Sequence, residues 1–396
     1  MEIQDLVNYK KEFYEALLSF IDSENENNEE KNNLSIFLEK QRLGENKEEL
    51  RSLLRLIKKI GNNHYRGSHF IDKIEQIFIL LEESIKQNFT NLEIYDIFKN
   101  NNLLLLSLYQ INLLIFDDQV VTSIIQSLKQ FILRKRAEIF IKKFNDHQKQ
   151  TKSFLNLPYF YPELKSKLNM TLIQSVENFI KETDPEALNN FEERRKSGEQ
   201  YSYISQLIRN DSLDDFILYM NQVNLTFSSK LKISIFETNS FLLNHEPTLI
   251  EYAAFFGSIQ IFKYLLIKNA ELNPSLWLFA VHGRNAEIIH LLEENDVKPF
   301  DKSYNECLKE AIKCHHNDIA DYIIDNIIGY DVESENIEKK FDQNSLAFAF
   351  RYLNYYYFPT DFNKPYLLHY CCKYNYNELV KALLKVKGLD INAKVI

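Results

Sequence analysis

Residues 248–292 read TLIEYAAFFGSIQIFKYLLIKNAELNPSLWLFAVHGRNAEIIHLL, and they give the clearest indication of the architecture. It contains one pattern twice: a pair of small residues, a short polar or glycine-containing break, and then paired apolar residues. The pattern begins at Ala253 and again at Ala280, 27 residues later. A repeating unit of about 30 residues is typical of stacked helical hairpins, because one hairpin alone cannot bury its apolar face. The stretch therefore predicts a helical-repeat protein.

Each position in this pattern has a physical reason. Ala253 and Ala280 are small because the first helices of neighbouring hairpins approach closely, and bulky side chains would force them apart. Gly257 lies where one helix turns into the next, since glycine adopts a left-handed backbone at little cost. The pair Leu265-Leu266 is expected to fill the space between hairpins.

Weaker copies of the pattern follow between Ala280 and residue 396. A third copy has Ala311 at the small position, 31 residues after Ala280. Residues 345–358 are rich in Phe and Tyr, and their register cannot be assigned from the pattern. A last copy begins at Leu367 and has Cys371-Cys372 at the small positions.

The first 200 residues have helical periodicity and no strand signals. Gly and Pro number 8 each in 396 residues, far below the average usage of about 7% and 5%. An amphipathic helix is expected at 3–21, followed by an acidic, Asn-rich linker at 23–33. The predicted fold is all-α: a helical N-terminal region at 1–200, degenerate repeats at 201–330, and a divergent segment with a last repeat at 331–396.

Charge and hydropathy limit the expected partners. The 47 Lys and Arg against 56 Asp and Glu give a net charge of −9, which works against non-specific attraction to nucleic acid or anionic lipid. The short basic runs Arg134–Arg136 and Arg194–Lys196 lack interleaved aromatic residues that would stack on bases. The most apolar run, Leu103–Phe116, is shorter than a membrane-spanning helix, which needs about 20 residues.

The chain begins with charged residues where a signal peptide has an apolar core. Four cysteines are too few for a disulfide framework in a chain of this length. We therefore expect an intracellular, cytoplasmic protein with no membrane insertion.

The polar residues do not form a recognisable catalytic or metal-binding motif. His315 and His316 are near Cys307 and Cys314, but the doubled pairs of ligands two to four residues apart that indicate a zinc site are missing. Cys371-Cys372 lies on small positions of a repeat, where buried cysteine behaves as a small apolar residue. We expect no catalytic residues, no cofactor and no metal, and hence no enzyme activity.

The repeating residues resemble ankyrin repeats. The pattern of that family is matched in part by Thr248–Ala254 and by Leu368-His369 before Cys371, and Asp390-Ile391-Asn392-Ala393 is similar to its hairpin sequence. Residues 207–326 also resemble the ankyrin-associated domain of unknown function in large expanded protist families. The residues that carry this second resemblance are Ile208-Arg209-Asn210-Asp211, Tyr252–Leu266 and Ser275–Leu292. The resemblance implies a solenoid that binds proteins, with no catalytic residue set.

We expect the repeats to act as a non-catalytic scaffold or adaptor that binds an unidentified protein through the concave side of the array. The residues expected to contact this partner are Lys268, Asn269, Glu271, Asn273, Lys298, Phe300 and Lys302. No polar capping repeat covers Leu383, Leu384 and Val386, so self-association through this C-terminal face is a further expectation. The alternatives are an enzyme or a nucleic-acid-binding protein with its site in the N-terminal helices.

Overall fold

The computed structural model describes residues 3–23, 28–40, 46–67, 69–140, 156–183, 187–196, 198–232, 234–328, 343–359 and 364–386. In these ranges the secondary structure is helical and contains no β-strand, apart from an isolated bridge between Lys230 and Thr248. The predicted all-α class is therefore confirmed. The contacts divide the chain into two units: unit 1 combines residues 1–74 with 250–396, and unit 2 consists of residues 75–249.

Unit 1 combines N-terminal helices with a stack of five helical hairpins. The N-terminal helices are α1 (Ile3–Asp22), α2 (Asn28–Lys40), α3 (Lys47–Asn63) and the start of α4 (Phe70–Leu80). The first hairpin consists of α15 (Leu249–Phe256) and α16 (Ile259–Ile267), and the second consists of α17 (Leu276–Gly283) and α18 (Ala286–Glu294). The third consists of α19 (Asn305–Cys314) and α20 (Asn317–Tyr322), which continues into a π-helical turn (Ile323–Ile328). The fourth consists of α21 (Gln343–Tyr352) and a 3-10 turn (Tyr355–Tyr357), and the fifth consists of α22 (Pro365–Lys373) and α23 (Asn377–Leu383).

Each hairpin turns at a break, which we define as the residues that join its two helices. One residue in each break has positive φ: Gly257 (68°), Arg284 (50°), His315 (61°), Leu353 (62°) and Asn375 (63°). A left-handed residue at this position ends the first helix and reverses the chain. The predicted role of Gly257 is confirmed, and the other four breaks make the same turn without glycine.

One backbone hydrogen bond recurs at four breaks and defines the register of the hairpins. It joins the N–H after the left-handed residue to the carbonyl of a buried small residue on the first helix. The pairs are Ser258 with Ala253, His316 with Ala311, Asn354 with Ala349 and Tyr376 with Cys371, at 2.8–3.1 Å. Ala349 thus assigns the register of residues 345–358, which the sequence pattern leaves open.

Side chains at the breaks connect each hairpin to the one before it. Asn285 Nδ2 donates to Gly257 O at 3.0 Å, and Asn354 Nδ2 donates to Ile312 O at 3.0 Å. His316 Nδ1 is 2.8 Å from Val281 O. Because a carbonyl only accepts, this ring nitrogen must carry the hydrogen. The breaks therefore form a continuous line of polar contacts along one edge of the stack.

Unit 2 is a separate set of helices. In addition to the end of α4 it contains α5 (Glu82–Asn88), α6 (Asn91–Phe98), α7 (Asn102–Gln110), α8 (Asp118–Phe140), α9 (Asn156–Tyr159), α10 (Tyr161–Leu164), α11 (Met170–Thr183), α12 (Phe191–Arg195), α13 (Tyr203–Arg209) and α14 (Leu213–Val223). Arg195 is buried and forms an ion pair with Glu163. It also donates to Tyr159 O at 3.1 Å. This arginine is therefore part of the packing of unit 2 and not of a basic surface.

Some predicted element boundaries are wrong. α2 begins at Asn28, so residues 28–33 of the expected linker are helical. Leu34 and Leu38 are buried one turn apart, and Glu29 and Glu30 lie at the helix N-terminus, where negative charge is favourable. The run Leu103–Phe116 is helical only to Gln110. The expected hairpin ending at residues 388–393 lies outside the described residues, and the predicted domain boundaries at 200 and 330 stay predictions.

Candidate protein interface

The residues expected to contact a partner lie in two loops of unit 1, which we call the tips. Tip 1 (residues 268–275) follows α16, and tip 2 (residues 295–304) follows α18. In both loops the backbone turns through residues with positive φ, among them Asn269 and Lys302. The candidates that are exposed are Lys268, Asn269, Glu271, Lys298, Phe300 and Lys302, whereas Asn273 is half-buried.

Each tip presents a large apolar side chain to solvent. Phe300 in tip 2 is 77% exposed, and Ile267, immediately before tip 1, is 76% exposed. Ile267 is not among the contact residues expected from the sequence. Its exposure could have been predicted from the run Leu265-Leu266-Ile267, because three consecutive apolar residues on a helix cannot all face inward.

Charged side chains of both signs lie in the same loops as these apolar residues. Lys268 Nζ lies 5.5 Å from the ring centroid of Tyr264, and Lys298 forms an ion pair of 2.8 Å with Asp296. An apolar centre with a charged rim is typical of protein interfaces. The tips therefore have the composition of a recognition surface.

The opposite ends of the same hairpins are covered by the N-terminal helices of unit 1. The α1 helix contacts successive breaks along its length. Lys10 forms a 3.4 Å ion pair with Glu378, just after the last break. The Tyr14 ring packs edge-on against Tyr355, and Asp22 at the end of α1 pairs with Arg284 at 2.7 Å. At or beside the breaks of the second to fifth hairpins, positions are thus contacted from within the chain.

A buried network of histidines completes this contact. His64 is 2.8 Å from Cys314 O through Nδ1 and 2.6 Å from Asp22 Oδ1 through Nε2. Both ring nitrogens of His64 therefore face oxygen atoms that accept hydrogen bonds. Burial alone would raise the pKa of Asp22, but the hydrogen bond and charge of His64, followed by those of Arg284, hold it well below its usual range.

Two further histidines of this network are neutral. Burial, and next the charge of His64, lowers the pKa of His315 and of His316 well below their usual range. His316 Nε2 accepts from the Tyr65 N–H at 3.1 Å. His315 Nδ1 is 2.8 Å from the Tyr14 hydroxyl, while its Nε2 has no hydrogen-bond partner among the described residues. Both histidines lie in the break between α19 and α20.

A cavity of about 260 Å³ lies beside the contact between α1, α3 and α23. Lys10, Glu49 and Glu378 meet at its wall, where Lys10 Nζ is 3.0 Å from Glu49. Burial, together with a hydrogen bond from protonated Glu49 to the neighbouring Glu378, raises the pKa of Glu49 to about 7. The two carboxyl groups therefore share one proton near neutral pH, with Lys10 beside them.

A second polar cluster joins α17 to α19. His282 Nε2 is 2.8 Å from Glu310 Oε1, and Cys314 Sγ is 3.4 Å from His282 Nδ1 and 3.7 Å from its Nε2. Lys313 Nζ is 2.6 Å from the same Glu310 oxygen. Burial would raise the pKa of Glu310, but Lys313 and His282 lower it to about 2. Sequence reasoning missed this cluster because its members come from two hairpins.

The cysteines and the aromatic run are mostly core residues. Cys307, Cys314 and Cys371 are buried, and Cys372 is exposed. Burial raises the pKa of Cys307 and of Cys371 well above the usual range, which disfavours a reactive thiolate. In the run Tyr355–Phe358 only Tyr356 is half-buried and the others are buried, so this run packs inside the stack.

Comparison with known protein families locates one repeat. Residues 363–393 match the family model of the ankyrin repeat. This segment is therefore similar to an ankyrin repeat. The match includes α22 and α23 and confirms the last predicted copy. No curated protein and no solved structure matches the chain. Ankyrin repeats are typically non-catalytic and suggest a role in protein–protein interaction.

In the described part of the chain, none of the helices combines the length and the apolar character that crossing a bilayer requires.

Proposed function

We propose that this chain is a non-catalytic scaffold that binds a protein partner through the two tips of its ankyrin-like stack. The observation that carries the proposal is the pair of exposed apolar side chains, Ile267 and Phe300, at tips of successive hairpins. Large side chains of this kind provide most of the binding free energy at protein interfaces. An intracellular location, and the likeness of residues 207–326 to the ankyrin-associated domain of protist families, belong to the same proposal.

The tips are separated from the breaks by the length of the second helix. The nine residues of α16 correspond to about 13 Å of helix. A partner at the tips therefore does not need to displace α1 from the breaks. This separation supports a binding surface that is present in the folded chain without rearrangement.

Burial of the tip residues provides the driving force for binding a partner. Covering a Phe or Ile side chain contributes about 1.5–3 kcal/mol each. The neighbouring charges, such as Lys268, Glu271 and Lys302, would add selectivity more than affinity. A partner with an apolar groove and charges of both signs around it matches this surface.

The test uses the full chain as bait in a lysate of the source cells, with quantitative mass spectrometry of captured proteins. The double variant Ile267→Ser/Phe300→Ser should lose at least about tenfold of the capture of the specific partner. The matched control, Ile115→Ser/Met170→Ser, replaces two comparably exposed apolar residues of unit 2, 59% and 67% exposed. The control should capture the partner at the wild-type level.

Equal capture by wild type and the tip variant would overturn the proposal, because the tips would then contribute nothing. A loss of capture by the control alone would place the binding surface in unit 2. Purified chain that converts a small-molecule substrate, with activity lost on changing buried polar residues of the N-terminal helices, would favour the enzyme alternative instead.

A further inference from the structure

The cluster of His282, Glu310 and Cys314 brings three chemically different metal ligands to one point. One nitrogen, one carboxylate oxygen and one sulfur lie within 4.8 Å of one another. His282 and Cys314 are 3% and 0% exposed, and the Glu310 side chain is 15% exposed. The carboxylate therefore marks the side from which an ion can enter.

The helices hold these ligands in a fixed arrangement. Glu310 and Cys314 are four residues apart on α19, so their side chains share one face of that helix. His282 lies in the last turn of α17, which packs against α19. The Phe255 ring stacks on the His282 imidazole, with centroids 5.0 Å apart and planes at 27°. An apolar wall of this kind limits the rotation of a ligand and excludes water.

The distances approach those of a tetrahedral site. Zinc bonds of about 2.3 Å to sulfur and about 2.0–2.2 Å to nitrogen and oxygen place neighbouring ligand atoms about 3.4–3.6 Å apart. Cys314 Sγ is already 3.7 Å from His282 Nε2. The oxygen of Glu310 is 2.8 Å from the same nitrogen, so it would have to move outward by about 0.6 Å.

We propose that His282, Glu310 and Cys314 bind a divalent cation of the zinc class. The mixture of imidazole, carboxylate and thiolate ligands suits zinc better than magnesium or calcium, which prefer oxygen. Three protein ligands leave one coordination position for water. On binding, the S–H bond of Cys314 breaks, a metal–sulfur bond forms, and the thiol proton is released to solvent. The hydrogen that His282 Nε2 donates to Glu310 moves to Nδ1 through solvent, so that the Nε2 lone pair forms the metal–nitrogen bond.

Lys313 competes with this cation for the carboxylate of Glu310. Its ammonium group is 2.6 Å from the Glu310 oxygen that would bind the metal. The ammonium and a divalent cation repel each other strongly at such distances. Lys313 must therefore turn away when the cation binds. Its neutral replacement, Lys313→Met, should tighten cation binding by at least about tenfold.

The test titrates Co²⁺ into purified, reduced full chain from which metal has been removed, and records the absorption band of thiolate bonded to cobalt. Wild type should bind one equivalent with this band, and Zn²⁺ should displace it. Cys314→Ser should abolish the band. The matched control is Cys307→Ser, which replaces an equally buried thiol on the same helix and should retain it.

Two further variants keep the test decisive if Cys314→Ser unfolds. Glu310→Gln retains a hydrogen-bond acceptor for His282 but removes one anionic ligand, and His282→Gln removes the nitrogen ligand. Each should weaken cobalt binding by at least about tenfold, with folding checked by the emission of Trp277. A thiolate band that persists in Cys314→Ser would assign the ion to another cysteine, such as the exposed Cys372. Absence of the band in both wild type and Lys313→Met would also overturn the proposal.

Discussion

Among the described glycines of unit 1, Gly283 has the least room for a side chain. A Cβ atom built on Gly283 would lie 2.0 Å from the carbonyl oxygen of Ala254 and 3.0 Å from the backbone nitrogen of Gly257. Ordinary van der Waals contact is about 3.5 Å. We therefore predict that Gly283→Ala destabilises unit 1, because α15 and α17 would have to separate by more than about 1 Å.

The magnitude follows from two opposing effects. Overpacking of a well-packed interior costs about 1–3 kcal/mol, and more where the obstacle is backbone that cannot rotate away. Alanine has a higher helix propensity than glycine, which offsets up to about 1 kcal/mol. The net loss is about 2 kcal/mol, which corresponds to a fall of about 4–8 °C in Tm for a folding unit of 150–250 residues.

Trp277 is the one tryptophan of the chain, and it lies on α17, fully buried, with its Nε1 donating to Val297 O at 2.6 Å. Selective excitation of tryptophan during urea or thermal unfolding therefore reports on the helix that carries Gly283. Gly67→Ala is the matched control, because its Cβ would meet only the Tyr65 ring at 3.7 Å. If Gly283→Ala unfolds at the same midpoint as this control, the close packing of α15 against α17 is refuted.

Two other predictions use the same fluorescence assay. Tyr14→Phe removes the hydroxyl that lies 2.8 Å from His315 Nδ1, and should cost about 1–3 kcal/mol because a buried polar atom loses its partner; an unchanged midpoint would show that this bond is not formed. Glu49→Gln should stabilise unit 1 at pH 8 by about 1–3 kcal/mol. The pKa of Glu49 is raised to about 7 from 4.5. The stabilisation that the protonated Glu49 carboxyl gives to the folded state is therefore present below pH 4.5 and is lost as the pH rises through 7. The advantage of the variant should therefore vanish at pH 4, and an equal effect at both pH values would contradict the shared proton.

The features that could be predicted from sequence are those with a local spacing. Ala253, Ala280, Ala311 and Cys371 recur with the hairpins, and all four are buried. The register of residues 345–358 could not be read, because their break consists of Leu353 and Asn354, and leucine gives no sign that the backbone there is left-handed. The backbone bond from Asn354 to Ala349 reveals it in the structure.

The association of α1 with the breaks could not be predicted from any spacing. Asp22 pairs with Arg284, 262 residues away, and Tyr14 contacts His315, 301 residues away. Each of these residues looks unremarkable in its own segment, and the contact exists only after the hairpins have stacked. The His282 cluster was missed for the same reason, since Glu310 and Cys314 form a metal-binding pattern only when His282 from the preceding hairpin faces them.

The chemistry of the two ends of the hairpins suggests why a partner would bind at the tips. At the breaks, Asp22, His64 and Arg284 are already paired with one another, and displacing α1 would leave the buried His64 without its carboxylate partner. Losing a hydrogen bond to a charged group costs about 1.5–3 kcal/mol, before any partner contact is formed. At the tips, Ile267 and Phe300 are exposed to solvent, and burying each side chain contributes about 1.5–3 kcal/mol of binding free energy. A partner therefore gains free energy at the tips from its first contact, whereas at the breaks it would first have to replace the specific polar groups that α1 supplies.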